Sequence, residues 1–305
     1  MGSPSELSPQ TRSTPAADEA NAETRFCDRV ARLLDAVDYR LANSSKERNA
    51  IFRLRYKAYR REGSIAPNSS GIFSDPYDET DNAYLFGLYI DDELASSIRI
   101  HVATREYPDF PSLKVFSDLM QPEVDSGKVI IDSTRFVTDE KFSRLHRGLP
   151  YVTLRLCWMA VHYFNADHFL AAIRAEHQPF YQRTFRHRLI CGSRSYPLLT
   201  KPISLMTVHY PTVADEVHRR YPFFRSTLFE RRMLFERAAP MPDFFQSPAT
   251  TMATEWPAFA PLDSVGAVAP RSVADTERGR DRCSDESRPR WHRPTIKARP
   301  TSQRP

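Results

Sequence analysis

Apolar residues recur along this chain at two spacings, and the switches between them divide it into helices and strands. Phe26, Val30, Leu33 and Leu34 fall three and four apart, which predicts a helix over roughly residues 21–36 and then a short strand at Tyr39–Leu41. Ser44 and Glu47 have capping-box spacing and open a second helix, which runs to about Glu62 before Gly63 stops it. Aromatic and β-branched residues fill Tyr84–Ile90 and Leu94–Val102, and the Asp91-Asp92 turn between them predicts a β-hairpin. A short helix at Val115–Met120, a strand over residues 128–138 and an apolar helix from Pro150 to about Phe164 follow. Phe169–Arg174 reads as a strand and Gln178–Arg186 as a helix, and the apolar runs Leu189–Tyr196 and Ile203–Tyr210 finish the sheet. The order predicts an α+β protein with a three-layer α/β arrangement, a central sheet flanked by helices. It lacks the regular alternation and glycine-rich first turn of a dinucleotide fold.

Composition confines the core to the middle of the chain. Residues 1–22 are rich in Ser, Pro, Ala and Glu with few apolar anchors, so they are expected to be disordered. From about residue 239 the chain is Pro-, Ser- and Thr-rich and ends in an arginine-rich run, the pattern of a disordered tail. The remaining stretch, 23–238, is the right size for one domain with a single core. The formal charge of +5 favours a negatively charged partner, although much of the excess sits in the tail. That tail lacks a folded recognition motif, so nucleic acid is not the expected partner. Cys27, Cys157, Cys191 and Cys283 lie far apart without a C-x-x-C pair, which argues against a disulfide framework or a zinc site and for free thiols in the cytoplasm. No apolar run is long enough to span a bilayer, and the polar N-terminus lacks the apolar core of a signal peptide.

Candidate chemistry lies where charge interrupts apolar pattern. Asp132-Ser-Thr-Arg135-Phe136 follows Val129-Ile-Ile131 and precedes Val137, placing an acid and a guanidinium inside a β-type run. A buried charge is costly unless paired, so such a strand is more often a site than filler. Residues three apart in a regular strand point to opposite faces, so a bulge is expected to bring Asp132 and Arg135 to one side. On the second helix Phe52, Arg55, Tyr56 and Tyr59 share a face, so Arg55 needs an anion, whether for function or as a structural ion pair. The long loop over residues 63–82 offers Asp75, Asp78, Glu79 and Asp81, and Arg99 sits on the second hairpin strand.

Four pieces of this pattern, Leu54-Arg55-Tyr56 with Tyr59, Asp75-Pro-Tyr77-Asp78, Ser97-Ile98-Arg99 and Asp132-Ser-Thr-Arg135-Phe136, resemble in that order the signature of acyl-homoserine lactone synthases and FeeM-type N-acyl amino acid synthases. The resemblance covers about residues 38–210 and implies the GNAT acyltransferase fold. Arg53-Leu-Arg-Tyr-Lys-Ala-Tyr-Arg-Arg-Glu-Gly63 looks more like the N-acyl amino acid synthases. Lactone synthases typically show a tryptophan soon after the first helix, which the stretch from Gly63 to Asp75 lacks, and Asp132 stands where many of them carry glutamate.

The resemblance implies transfer of a long-chain acyl group from an acyl thioester to the α-amine of an amino acid. Asp132 would accept or relay the amine proton, and Arg135 and Arg99 would fix the acidic loop and meet the amino acid carboxylate. Arg55, paired with Asp75 or Asp78, would close the loop, with Tyr59 and Phe136 beside the substrates. Phe180-Tyr181-Gln-Arg-Thr-Phe185 resembles the F-Y-x-x-x-F opening of a late GNAT helix, so Tyr181 either protonates the departing thiolate or packs the core. The charges could equally form one buried scaffold while solvent moves the proton, and the helix from Tyr151 to Phe164 is either an acyl tunnel or ordinary core. Arg144-Leu-His-Arg-Gly148-Leu-Pro150 degrades the glycine-bearing loop that cradles coenzyme A pyrophosphate in GNAT enzymes. That weakens a coenzyme A donor without excluding it; the resemblance implies an acyl carrier protein instead, and Arg183, Arg186, Arg188, Arg194, Arg219, Arg220, Arg231 and Arg232 are either its docking face or an ordinary solvated surface. No resident cofactor or metal is implied, since no histidine or third carboxylate completes a shell around Asp75 and Asp78. The alternatives are a lactone synthase using S-adenosylmethionine and a non-catalytic acyl-binding module.

Overall fold

The computed structural model describes residues 15–237. Helix α1 (Pro15–Asp35) leads into β1 (Val37–Leu41) and α2 (Ser45–Arg61). The hairpin β2 (Ala83–Ile90) and β3 (Glu93–Ala103) comes next, then α3 (Ser117–Asp125), β4 (Ile130–Thr138), α4 (Glu140–Leu145) and α5 (Leu149–Tyr163). The chain continues through β5 (His168–Ile173), α6 (Gln178–Phe185), β6 (Arg188–Arg194), β7 (Ile203–His209), α7 (Tyr210–Arg220) and α8 (Leu228–Phe235). The seven strands form one mixed sheet in the order β1-β2-β3-β4-β5-β7-β6.

Local chemistry accounts for the boundaries. Ser44 and Glu47 make the reciprocal capping-box bonds at the start of α2, and Gly63 ends that region with a φ of 63°. Asp91 and Asp92 both adopt positive φ, 51° and 60°, the twist a two-residue hairpin needs. Alternation then sorts the sheet's two faces. Ile98 and Ile100 of β3 join the core under α5, where Ser96 Oγ also accepts from Thr153 Oγ1 at 2.9 Å. Ala103 packs with Phe116 and Met120 around α3, and Val137 with Leu54 and Ala58 of α2.

β4 and β5 form the sheet's parallel pair, joined by the crossover through α5, and their pairing is short. It runs from Ile130 opposite His168 to Ser133 opposite Ala171 and stops. Beyond Ser133 the two strands part, opening the sheet on a cavity.

The chain departs from its sequence pattern at several points. Residues 15–22, expected to be disordered, begin α1, because Pro15 suits a first helical position and Ala16, Ala17, Ala20 and Ala22 are strong helix formers. Residues 1–14 and the expected tail at 239–305, including Cys283, lie outside the described residues. Helix α4, capped by Asp139, was not expected, nor were α7 and α8. The pattern of α8 is inverted: Leu228, Phe229 and Met233 face outward while Arg231 is buried, so no apolar stripe marks it. Arg155 of α5 fastens that helix, bonding Glu230 and the carbonyls of Phe223 and Arg225.

Candidate active site

The irregularity expected in β4 is a bulge centred on Arg135. Ser97 lies opposite Val137 and Arg99 opposite Thr134, so Arg135 and Phe136 together face the single residue Ile98. Arg135 takes a φ of 56°, a left-handed conformation costing a non-glycine residue roughly 1 kcal/mol or more. The bulge turns its side chain onto the α2 face, where Arg99 also points.

There the charges form a continuous chain. Arg55 Nη1 donates to both oxygens of Asp78, at 2.8 and 2.9 Å, and Arg99 Nη1 lies 2.9 Å from Asp78 Oδ1. Arg99 also donates to Asp75 Oδ1 at 2.6 Å, and Arg135 grips Asp75 Oδ2 through Nε at 3.0 Å and Nη2 at 2.6 Å. Both carboxylates come from the long loop, so three guanidinium groups anchor that loop to the sheet. Burial pushes both carboxyls upward, but Arg99 with Arg135 holds Asp75 well below the usual range, and Arg55 with Arg99 lowers Asp78. Burial pulls Arg55 down to about 10, against the charge of Asp78. Within this chain of charges three guanidinium groups face two carboxylates, and Arg55 Nε and Nη2 are buried without a hydrogen-bond partner among the described residues. Phe73 covers the Arg135 guanidinium at 4.7 Å, with the rings of Tyr59 and Tyr196 at 5.9 and 5.8 Å.

Asp132 stands apart from this chain. Ser112 occupies both its oxygens, with the backbone N–H at 3.0 Å and Oγ at 2.8 Å. The side chain is fully buried, and burial lifts its carboxyl to about 6 despite the Ser112 bonds and the charge of Arg99. His101, its register partner on β3, is also buried and bonds the Tyr77 carbonyl at 3.0 Å; burial lowers it to about 3, so it is neutral.

Two cavities meet at the bulge. The larger, about 400 Å³, lies between the parted strands; Arg135, Phe136, Ile173, Arg174, Phe180 and Tyr181 are among its lining residues, and Tyr59 also borders it. The smaller, about 270 Å³, is lined by Asp75, Tyr77, Asp109, Lys114 and Tyr196 among others, and again by Arg135. Of the residues the sequence singled out, Arg135, Tyr59, Phe136 and Tyr181 reach the larger cavity and Asp75 the smaller. Arg55, Arg99 and Asp132 lie behind them, and Asp78 borders a separate hollow beside Arg48 and Glu79. Burial raises the Tyr181 phenol, keeping it protonated.

Sequence reasoning missed the rim of the larger cavity, where Arg174 pairs with Glu62 at 3.0 Å and donates to His177 Nε2 at 2.9 Å. It also missed Ser112, Lys114 and Tyr196. Arg174 could have been found as a charge ending a strand, whereas the other three lie on connections without periodicity.

In the first turn of α5 the backbone N–H groups of residues 149–152 are committed or missing. Leu149 donates to the His146 carbonyl at 3.0 Å, Tyr151 and Val152 donate to Gly148 at 3.0 and 3.2 Å, and Pro150, which lines the cavity, has none. Gly148 is covered by α1, since an added Cβ would stand 3.1 Å from Val30 Cγ2. Of the arginines expected to form a docking face, Arg186, Arg194, Arg220 and Arg232 pair with Glu216, Asp118, Glu23 and Glu236, and Arg231 is buried against Ser226.

The profile of the N-acyl amino acid synthase FeeM family matches residues 50–209, just over half of the chain. The chain belongs to the FeeM family of N-acyl amino acid synthases. It is an acyltransferase, and the matched span contains the bulge, the charge chain and both cavities. No curated protein sequence matches it. Among solved structures it is similar to FeeM, an N-acyl amino acid synthase from uncultured soil microbes, with 17% identity, a TM-score of 0.51 and coverage of 61% of this chain and 97% of that one. It is also similar to BjaI, a coenzyme A-dependent acyl-homoserine lactone synthase, at 13% identity and TM-score 0.44, covering 61% and 89%. An acyl-CoA N-acyltransferase from Pseudomonas aeruginosa gives 15%, 0.39, and coverage of 56% and 97%. At these identities the likeness to solved structures is one of fold, the GNAT-like fold.

Proposed function

We propose that this FeeM-family protein transfers a long-chain acyl group from acyl carrier protein to the α-amine of an amino acid, giving an N-acyl amino acid. The carrying observation is that two cavities share the Arg135 wall at a sheet bulge. The larger, which opens where the strands part and reaches Ile173, Phe180 and Tyr181, suits the acyl thioester, and the smaller, bordered by Asp75, Asp109 and Lys114, suits the acceptor. The amine nitrogen attacks the thioester carbon, the C–N bond forms as C–S breaks, the nitrogen sheds a proton and the thiolate gains one. Tyr181, at the larger cavity and held protonated by burial, supplies the proton to sulfur. Arg135, with Tyr59 and Phe136, holds the reacting groups together where the strands part.

Arg55, Asp78, Arg99 and Asp75 form the scaffold that fixes Arg135 and the long loop. Asp132, with both oxygens on Ser112 and no face on either cavity, is a positioning residue, and the amine proton leaves to water. A carrier protein rather than coenzyme A is supported by the α5 start, where Leu149, Tyr151 and Val152 direct their N–H groups to His146 and Gly148 and Pro150 has none to offer a pyrophosphate. We place the protein in the cytoplasm, a compartment that suits the free thiols of Cys27, Cys157 and Cys191. Among the described residues no helix is long and apolar enough to cross a membrane, and no group of His, Cys, Asp and Glu is placed to hold a metal.

The test is to incubate the protein with acyl carrier thioesters and each amino acid, and to weigh the products. An N-acyl amino acid with release of carrier thiol is expected. A homoserine lactone formed only with S-adenosylmethionine, or bound acyl chain without thiol release, overturns the proposal.

A further inference from the structure

We propose that Lys114 binds the α-carboxylate of the acceptor amino acid and so restricts the enzyme to amino acids over simple amines. The inference rests on the reading that the smaller cavity takes the acceptor. Two cations line that cavity. Arg135 is committed to Asp75 through Nε and Nη2, whereas Lys114 is exposed and has no carboxylate partner among the described residues. Of the cavity's two acids, Asp75 is shared by Arg99 and Arg135, and Asp109 accepts from Tyr77 Oη at 3.3 Å, so neither is paired with Lys114.

A carboxylate set against Lys114 and the Arg135 edge gives that ammonium a partner and keeps its own amine close to the Arg135 wall, beyond which the thioester lies. The remaining lining, Tyr77, Tyr196, Pro197 and Leu198, faces the acceptor's side chain. Lys114 lies between β3 and α3, two residues beyond Ser112, so the Ser112–Asp132 clamp fixes the segment that carries it.

The experiment measures acyl transfer from carrier thioester to the best of the proteinogenic amino acids and to the amine made from it by decarboxylation. Wild type, Lys114→Ala and Lys114→Arg are compared. Loss of a charge-assisted bond is expected to raise KM for the amino acid about 10- to 100-fold in Lys114→Ala, with kcat little changed and KM for the amine unmoved. Lys114→Arg restores most of the lost affinity. An equal effect of Lys114→Ala on both acceptors, or a wild type that uses the amine as well as the amino acid, overturns the inference. A wild type that acylates no amino acid overturns the underlying functional reading instead.

Discussion

Replacing Asp132 with asparagine separates a carboxylate that takes protons during turnover from one that holds the strand in place. Its side chain lies fully buried against Ser112, and its carboxyl is lifted from 3.8 to about 6. A rise of that size corresponds to roughly 3 kcal/mol between the protonated and ionised forms. Because the folded state holds this proton more tightly than the unfolded chain, the contribution to stability is complete below about pH 4 and is lost as pH rises through about 6. Between about pH 4 and pH 7 the wild type should lose about 2 kcal/mol from this group alone. The substituted amide keeps two hydrogen bonds, accepting from the Ser112 N–H and donating to its Oγ, but has no charge to bury. Urea unfolding of Asp132→Asn should therefore match the wild type near pH 4 and exceed it by about 2 kcal/mol at pH 7, or about 4–8 °C in Tm for a domain of this size. Turnover at pH 7 should stay within about tenfold of the wild type, since a positioning residue that keeps both bonds preserves the geometry. Parallel stability curves would refute the electrostatic argument, and a loss of turnover of about a thousandfold with the fold intact would restore Asp132 as the proton acceptor.

Asp75→Asn leaves Arg135 as a buried charge without its counter-ion; it should cost about 3–5 kcal/mol in urea unfolding and reduce acyl transfer in the protein that still folds. Arg135→Gly and Arg135→Val both remove the ion pair, but only glycine accepts a φ of 56° without strain, so the valine variant should be less stable by about 1–2 kcal/mol in the same assay. Equal stability would mean that the bulge relaxes. Tyr181→Phe should lower kcat about 100-fold with a natural thioester and much less with a thiophenyl ester, whose thiolate leaves without a proton. A uniform loss across both donors would assign Tyr181 to packing.

Much of the fold was legible because its elements carry their own boundary chemistry: the Ser44–Glu47 box, the Asp91-Asp92 turn and Gly63 each appear where their backbone geometry requires them. The bulge was legible by parity, since Asp132 and Arg135 cannot share a face of a regular strand. The need of Arg55 for an anion was legible too, but the choice of Asp78 over Asp75 depends on where a long loop settles against the sheet. Ser112, Lys114 and Tyr196 left no trace because aperiodic connections take their positions from the folded sheet. Helix α8 was hidden for a different reason, since Arg155 across the core is what lets the Glu230–Arg231 turn face inward while Phe229 points outward.

The three arginines that hold Asp75 and Asp78 also restrain the loop that carries those two acids. Lifting the stretch around Asp75 and Asp78 would strand those guanidinium groups without their counter-ions, which makes that part of the loop costly to move. The connection between β6 and β7 is different, because it spans both chambers, with Leu199 and Lys201 at one and Tyr196 and Leu198 at the other. If donor and acceptor take the two chambers as proposed, this connection keeps them apart until they meet at Arg135.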